Sequence, residues 1–296
     1  MSYIGRFAPS PTGPLHFGSL LAALASFLDA RSNNGQWLLR IEDLDPPREQ
    51  EGLKEKFPEV LEAFGLYWDD ELSLQSERLE YYRDVLQQLL DSGDAYRCSC
   101  SRKEIQQRSG NLLYDQHCLL HPPEEGANCA IRVCCKDSLI SFRDIIQGPH
   151  AYNLKTSSGD FVVYRRDGLF AYQLAVIVDD YLQGITHVVR GSDLLDETPR
   201  QIHLQQLLGY PSPAYAHIPV ANNSEGQKLS KQTYAEALDC SHPAPVLYKA
   251  LQFLDQEPPA ELQQGYRDEV LEWAIQNWDI RKISAVKGKI LQTGNI

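Results

Sequence analysis

The sequence predicts an α/β protein: a parallel-sheet, nucleotide-binding core, an insertion in its middle, and a small helical tail. Three observations predict this. Residues 3–45 alternate strand, helix and strand; six of the seven cysteines crowd between positions 98 and 135; and beyond Gln232 the apolar residues recur at helical spacing.

The elements follow from their residues. "YIGRFA" (3–8) is a short strand. "HFGSLLAALASFLDARSNNG" (16–35) is a helix, because Leu20, Leu21, Leu28 and the alanines form an apolar face and Asn34-Gly35 stops it. "QWLLRIEDLD" (36–45) is the next strand, ending in acids before the Pro46-Pro47 breaker. Strand, helix, strand at this spacing is a right-handed crossover unit of a parallel sheet. Residues 51–93 are mostly helical in pattern. From Tyr96 to about Pro149 the chain reads as irregular and rich in Cys, His and Pro. Order returns over 160–191, a mixture of buried strands and a helix; "DETPRQIHLQQLLGY" is another helix, and "PVLYKALQFL" and "DEVLEWAIQNW" supply the tail. The expected division is residues 1–95 as the first half of the core, 96–160 as the insertion, 161–232 as the second half, and 233–296 as the tail.

Composition bounds the function. Hydrophobic residues at 43% and charged residues at 23% suit a globular enzyme. No apolar run approaches the roughly 18 residues of a membrane span. The start lacks a basic-then-apolar leader, so a cytoplasmic monomer without membrane contact is expected. A net charge of -12 argues against broad nucleic-acid binding, though a local basic groove remains compatible with it.

Two stretches carry chemistry. "RFAPSPTGPLHFGS" (6–19) places three prolines, two glycines and His16 directly before the first helix. A helix N-terminus offers unpaired N–H groups and a partial positive charge, which favour phosphate. Gly13 and Gly18 permit close approach, His16 can hydrogen-bond a phosphate oxygen, and the prolines hold the turn rigid. The plain alternative is a Pro-rich turn with a capping histidine. "QKLSKQ" (227–232) sets Lys228 and Lys231 in a polar loop, where they can neutralise a departing pyrophosphate. Alone, such a loop is ordinarily a solvated one.

Together the two resemble the paired signatures of class I aminoacyl-tRNA synthetases, and with "LLRIEDLDPPR", "GITHVVRGSDLL", "TPRQ" and "YAHIPV" they resemble, in order, the catalytic domain of glutamyl-tRNA synthetases over residues 4–232. The resemblance implies a Rossmann-type class I synthetase core with His16, Gly18, Ser19, Lys228, Leu229, Ser230 and Lys231 around ATP, and catalysis resting on His16, Gly18, Lys228 and Lys231. Ser19 stands where the class often has His, and Gln232 where Ser is usual; altered rate is expected from these edge positions. Glutamyl-tRNA synthetases continue into a helical anticodon-binding domain, whereas here only residues 233–296 follow the lysine motif. A chain of this shape is similar to the glutamyl-queuosine tRNA(Asp) synthetase family. That resemblance implies ATP-dependent, tRNA-independent activation of L-glutamate, then its transfer to queuosine at the wobble position in the anticodon stem-loop of tRNA(Asp).

The cysteine segment offers Cys98, Cys100 and Cys118. Zinc takes about four soft or borderline ligands, and chemistry alone suggests His117 or His121 as the fourth. The resemblance implies Tyr114 instead, with one structural zinc per chain. Cys129, Cys134 and Cys135 read as core residues.

Glutamate carries two carboxylates and an ammonium. Arg6 and Arg190 can fork onto carboxylates, Glu42 can pair the ammonium and Tyr172 can cap the pocket; these four match the family's glutamate-binding positions. Phe7, Ala8, Pro9 and Ser10 line the same strand end, and Arg48 is a further candidate. Asp43 and Asp45 read as loop-ordering acids. Magnesium is expected to arrive with ATP. Arg102, Lys103, Arg108, Arg165, Arg166, Arg281 and Lys282 are candidate phosphate contacts for the RNA. Three competing readings are a catalytic fragment of an ordinary glutamyl-tRNA synthetase charging a 3′ end, a related nucleotidylyltransferase acting on a small molecule, and a non-catalytic RNA-binding paralogue.

Overall fold

The computed structural model describes residues 2–110, 113–137, 139–228 and 236–291. Strand β1 (Ile4–Phe7) leads through a proline-rich turn into helix α1 (Phe17–Ser32), which returns to β2 (Gln36–Ile41). The strands are parallel, Arg6 lying opposite Leu38. The reversal after α1 depends on glycine: a Cβ on Gly35 would fall 2.6 Å from the Tyr3 backbone oxygen. Helix α2 (Leu53–Ala63) precedes β3 (Ser73–Leu74), which adds in parallel to β2, and α3 (Leu79–Asp91) follows.

Between α3 and the next long helix the chain forms β4 (Ala95–Cys98), α4 (Arg102–Ser109), α5 (His117–Leu120), β5 (Ala130–Val133), β6 (Leu139–Asp144), β7 (Gly148–Asn153), α6 (Leu154–Ser157) and β8 (Phe161–Tyr164). Order β4-β5-β8 makes an antiparallel sheet, and β6 with β7 makes a hairpin. This differs from the irregular segment expected of 96–149. The hairpin has a local cause: Gly148 closes its turn at φ +82°, a conformation natural to glycine.

The core resumes with α7 (Tyr172–Leu182), β9 (His187–Gly191), α8 (Thr198–Leu208) and β10 (Ala214–Ile218), then β11 (Val220–Asn222). β9 lies beside β1, with the Thr186 N–H donating to the Ile4 carbonyl at 2.9 Å, and pairs in parallel with β10. Parallel strands therefore end side by side at Phe7, Ile41, Gly191 and Ile218, the edge of such a sheet where ligands bind.

The tail is not wholly helical, as its periodicity suggested. After α9 (Pro243–Phe253) and α10 (Arg267–Asn277), strand β12 (Gly288–Ile290) returns to pair in parallel with β11, Val220 opposite Gly288. The two helices thus pack on α1, while the returning strand extends β11. The Leu247, Leu251 and Val270 side chains share one apolar cluster with Leu24 and Leu28 of α1, while a second cluster joins α3 and the insertion strands to α7 and α8.

Candidate active site

A cleft of about 570 Å³ opens at those strand ends. Its lining includes Phe7, Pro9, Ser10, Gly13, His16, Gly18, Ser19, Arg48, Gly191, Asp193 and Lys228. The two sequence signatures therefore meet, although they lie about two hundred residues apart. Leu229, Ser230 and Lys231 fall outside the described residues. Both flanks of that stretch are at the cleft: Lys228 lines it, and Ala237 bridges to His16.

His16 caps α1. Its Nδ1 accepts from the Ser19 N–H at 3.3 Å, and the Ser19 hydroxyl accepts from the His16 N–H at 3.4 Å. Acceptance at Nδ1 leaves the neutral ring's proton on Nε2, which makes that nitrogen a donor. Ser19 thus completes the cap at the position where the class pattern often has His. The first turn of α1 contains no acidic residue, so its positive end is not neutralised locally.

Next to the cleft lies a buried charged pocket. Arg6 and Arg190, each 4% exposed, immediately precede cleft residues Phe7 and Gly191 on the neighbouring strands β1 and β9. Arg190 Nη1 donates to the Tyr172 hydroxyl at 3.2 Å. Burial, and then the charges of Arg190, Glu42 and Arg6, act on Tyr172 and leave its pKa raised. The four residues expected around glutamate are therefore one group. Asp180 holds Arg6, with contacts of 3.3 and 3.5 Å.

Glu42 is the least satisfied member. Its Oε1 is buried and accepts no hydrogen bond, and the nearest Arg40 nitrogen is 3.5 Å away. Burial pushes its carboxyl up to about 7, against the pull of Arg40 and Arg6. The ionised carboxylate would attract an ammonium group, and the protonated one would not. KM for glutamate is therefore expected to rise about tenfold per pH unit below the Glu42 pKa and to level off above it. An initial-rate series from about pH 8 down to about pH 5.5 checks this, and a flat profile removes Glu42 from the ammonium role.

The sequence reading missed the acids that organise this pocket. Asp179 and Asp180 are buried at the end of α7: Asp180 accepts from Arg40 at 2.8 Å, and Asp179 accepts from Gln75, Arg78 and Tyr82 at 2.7–2.8 Å. Two acids closing the apolar run "LAVIV" were the available signal. Asp193, inside the quoted "RGSDLL", pairs with Lys228 at 2.6 Å. Asp43 orders a loop as expected, accepting from the Ser76 N–H at 2.8 Å. Arg48 reaches the cleft rim but is bound to Asp45 and mostly exposed.

In the insertion, the sulfurs of Cys98, Cys100 and Cys118 lie within 4.8 Å of one another. The Tyr114 hydroxyl is 3.2 Å from Cys98 Sγ and 3.6 Å from Cys100 Sγ, and it accepts from the Cys118 N–H at 2.9 Å. His117 and His121 are instead next to each other, ring centroids 5.0 Å apart, and neither belongs to the three-sulfur group. Arg132 donates to Cys98 Sγ and Arg108 to Cys100 Sγ, both at 3.2 Å, which favours charged sulfurs. Burial alone would raise the Cys118 thiol, but hydrogen bonds from Tyr114 and Cys100 bring it down to about 7. Burial still leaves the Cys100 thiol and the Tyr114 phenol raised, so the fit to a metal rests on the donor set itself: three clustered thiols beside a phenol oxygen. Among the surface cations, Arg108 pairs with Asp115, Arg165 with Asp45 and Asp167, and Arg281 with Asp279.

The first turn of α1, Lys228 and the Arg6–Arg190–Tyr172–Glu42 group thus gather at one edge of a parallel sheet, the place where ligands bind in such folds. The family model "tRNA synthetases class I (E and Q), catalytic domain" matches residues 4–242. The chain is 50% identical over 282 residues to a glutamyl-Q tRNA(Asp) synthetase of Aromatoleum aromaticum, covering 94% of this chain and 89% of the relative. It is 48% identical over 283 residues to the one of Escherichia coli strain K12, covering 95% and 90%. A crystal structure of a glutamate tRNA ligase from Elizabethkingia meningosepticum in complex with its amino acid superposes with a TM-score of 0.83 at 26% identity, over 99% of this chain and 67% of that one. The chain belongs to the class I tRNA synthetases of the E and Q type, and within them to the glutamyl-Q tRNA(Asp) synthetase family.

Proposed function

We propose that this enzyme activates L-glutamate with ATP and transfers it to the queuosine base at the wobble position of tRNA(Asp). The observation that carries the reading is the meeting of His16, Gly18, Ser19 and Lys228 on one cleft, beside the group of Arg6, Arg190, Tyr172 and Glu42.

In the first step a glutamate carboxylate oxygen attacks the α-phosphorus of ATP. The new P–O bond forms as the bond to pyrophosphate breaks, and no proton moves. The site therefore needs positioning and charge neutralisation more than a base. The α1 N-terminus and His16 Nε2–H would hold phosphate oxygens, and Lys228 and Lys231 would meet the charge growing on the leaving group. Magnesium bound to ATP would add neutralisation there. Arg6 and Arg190 would take the substrate's carboxylates and Glu42 its ammonium. In the second step a hydroxyl oxygen of the cyclopentene-diol attacks the mixed-anhydride carbonyl, AMP leaves, and the hydroxyl proton passes to solvent. Cys98, Cys100, Tyr114 and Cys118 would hold one zinc that shapes the insertion.

Incubation with labelled glutamate, ATP and tRNA(Asp), followed by nuclease mapping, tests the reading. Label is expected on the anticodon loop. Label on the 3′ end would instead identify an ordinary charging enzyme, and glutamate-dependent ATP–pyrophosphate exchange without RNA is expected of the proposed one.

A further inference from the structure

We infer that Asp144 and His217 form a positioning relay behind Arg190, holding its guanidinium in place while leaving its charge uncommitted for a substrate carboxylate. The inference rests on the proposed glutamate-binding role of Arg190.

Arg190 is buried, yet no carboxylate lies within ion-pair distance of it among the described residues. Its Nε–H donates to His217 Nε2 at 3.0 Å, and its Nη2 donates to Thr198 Oγ1 at 2.9 Å and Gln201 Oε1 at 2.8 Å. These acceptors are all neutral. Arg6 is built differently, with Asp180 directly against it at 3.3 Å. A carboxylate placed on Arg190 would compete with the ligand's own. A bare neutral shell would leave a buried cation poorly stabilised.

The relay resolves this conflict. Because an arginine N–H can only donate, His217 Nε2 must accept, so the ring proton sits on Nδ1. Nδ1 donates to Asp144 Oδ2 at 2.6 Å. Asp144 Oδ1 accepts from the Ile146, Gln147 and His217 N–H groups at 2.8–3.1 Å, which fixes the carboxylate in one orientation. His217 and Asp144 are fully enclosed, and burial pushes the imidazole down to about 4, so the ring is neutral at working pH. The anionic charge is thereby kept one ring away from Arg190, where it polarises the acceptor without pairing directly with the guanidinium.

Substitutions separate positioning from bulk structure. In Asp144→Asn, the three backbone donors hold Oδ1 and turn the amide NH2 toward His217 Nδ1. That forces the ring proton onto Nε2, donor facing donor at Arg190. KM for glutamate is expected to rise about tenfold or more, with KM for ATP changed less than about twofold. His217→Leu is expected to do the same, and His217→Gln, whose amide can accept from Arg190 and donate to Asp144, to recover most of the loss. Equal rises in both KM values, or an unchanged glutamate KM in a folded His217→Leu enzyme, would overturn the relay. Should the variants not fold, nitrogen-15 NMR of the histidine rings in the unmodified protein decides: the Nδ1-protonated tautomer is required at His217, and the Nε2-protonated one sinks the inference. Glutamate-dependent exchange by the unmodified enzyme is the control. Its absence would refute the proposed function, while the tautomer reads the relay independently.

Discussion

Replacing Lys228 by alanine is expected to slow glutamyl-adenylate formation about 100- to 1,000-fold, the usual loss when one preorganised donor to developing charge is removed. The fold should not notice. Lys228 is 45% exposed on its side chain and pairs with Asp193, an exposed ion pair worth at most about 1 kcal/mol. The effect must therefore fall on the reaction. Pyrophosphate gains negative charge as it leaves, and a flexible ammonium can follow it, which is why the loss should appear in kcat for ATP–pyrophosphate exchange while the melting temperature stays level. Lys231→Ala is expected to cost at least as much, although Lys231 lies outside the described residues. A Lys228→Ala enzyme retaining near-full exchange would take the leaving-group role away from this loop.

Metal removal is the second large effect. Among the described residues, the segment around Cys98, Cys100, Tyr114 and Cys118 has Cys98, Ile105, Tyr114 and Cys118 in its buried cluster, too few apolar groups to hold the backbone of α4 and α5 against chain entropy. Structural zinc supplies on the order of 10 kcal/mol in sites of this kind. One zinc per chain is expected by elemental analysis. Chelation, or Cys100→Ser, should accelerate tryptic cleavage after Arg102, Lys103 and Arg108 by about a hundredfold or more, while the two larger clusters keep the core intact. Protein purified without chelators and found free of metal would end the assignment.

The sequence disclosed what depends on neighbours along the chain. β1, α1 and β2 were legible because their periodicities and the Asn34-Gly35 stop are local. The meeting of His16 with Lys228 was legible only through the resemblance, since no local pattern encodes a contact across two hundred residues. Features that depend on distant partners were not legible. Strand β12 is three residues long and acquires its meaning from Val220–Asn222, and Asp179 and Asp180 are explained by Arg40, Arg78 and Arg6, brought to them by the crossing of α7 over the sheet. The tyrosine beside the thiols was invisible to chemistry alone, because phenols seldom bind metal and two nearby histidines offered the ordinary answer.

The pairing of β12 with β11 has a consequence for the cleft. Val220 and Ala221 form part of its wall, and the strand that carries them is held along one edge by residues 288–290. A substitution that unseats this short stretch, far along the chain from the residues it braces, would therefore be felt at the cleft.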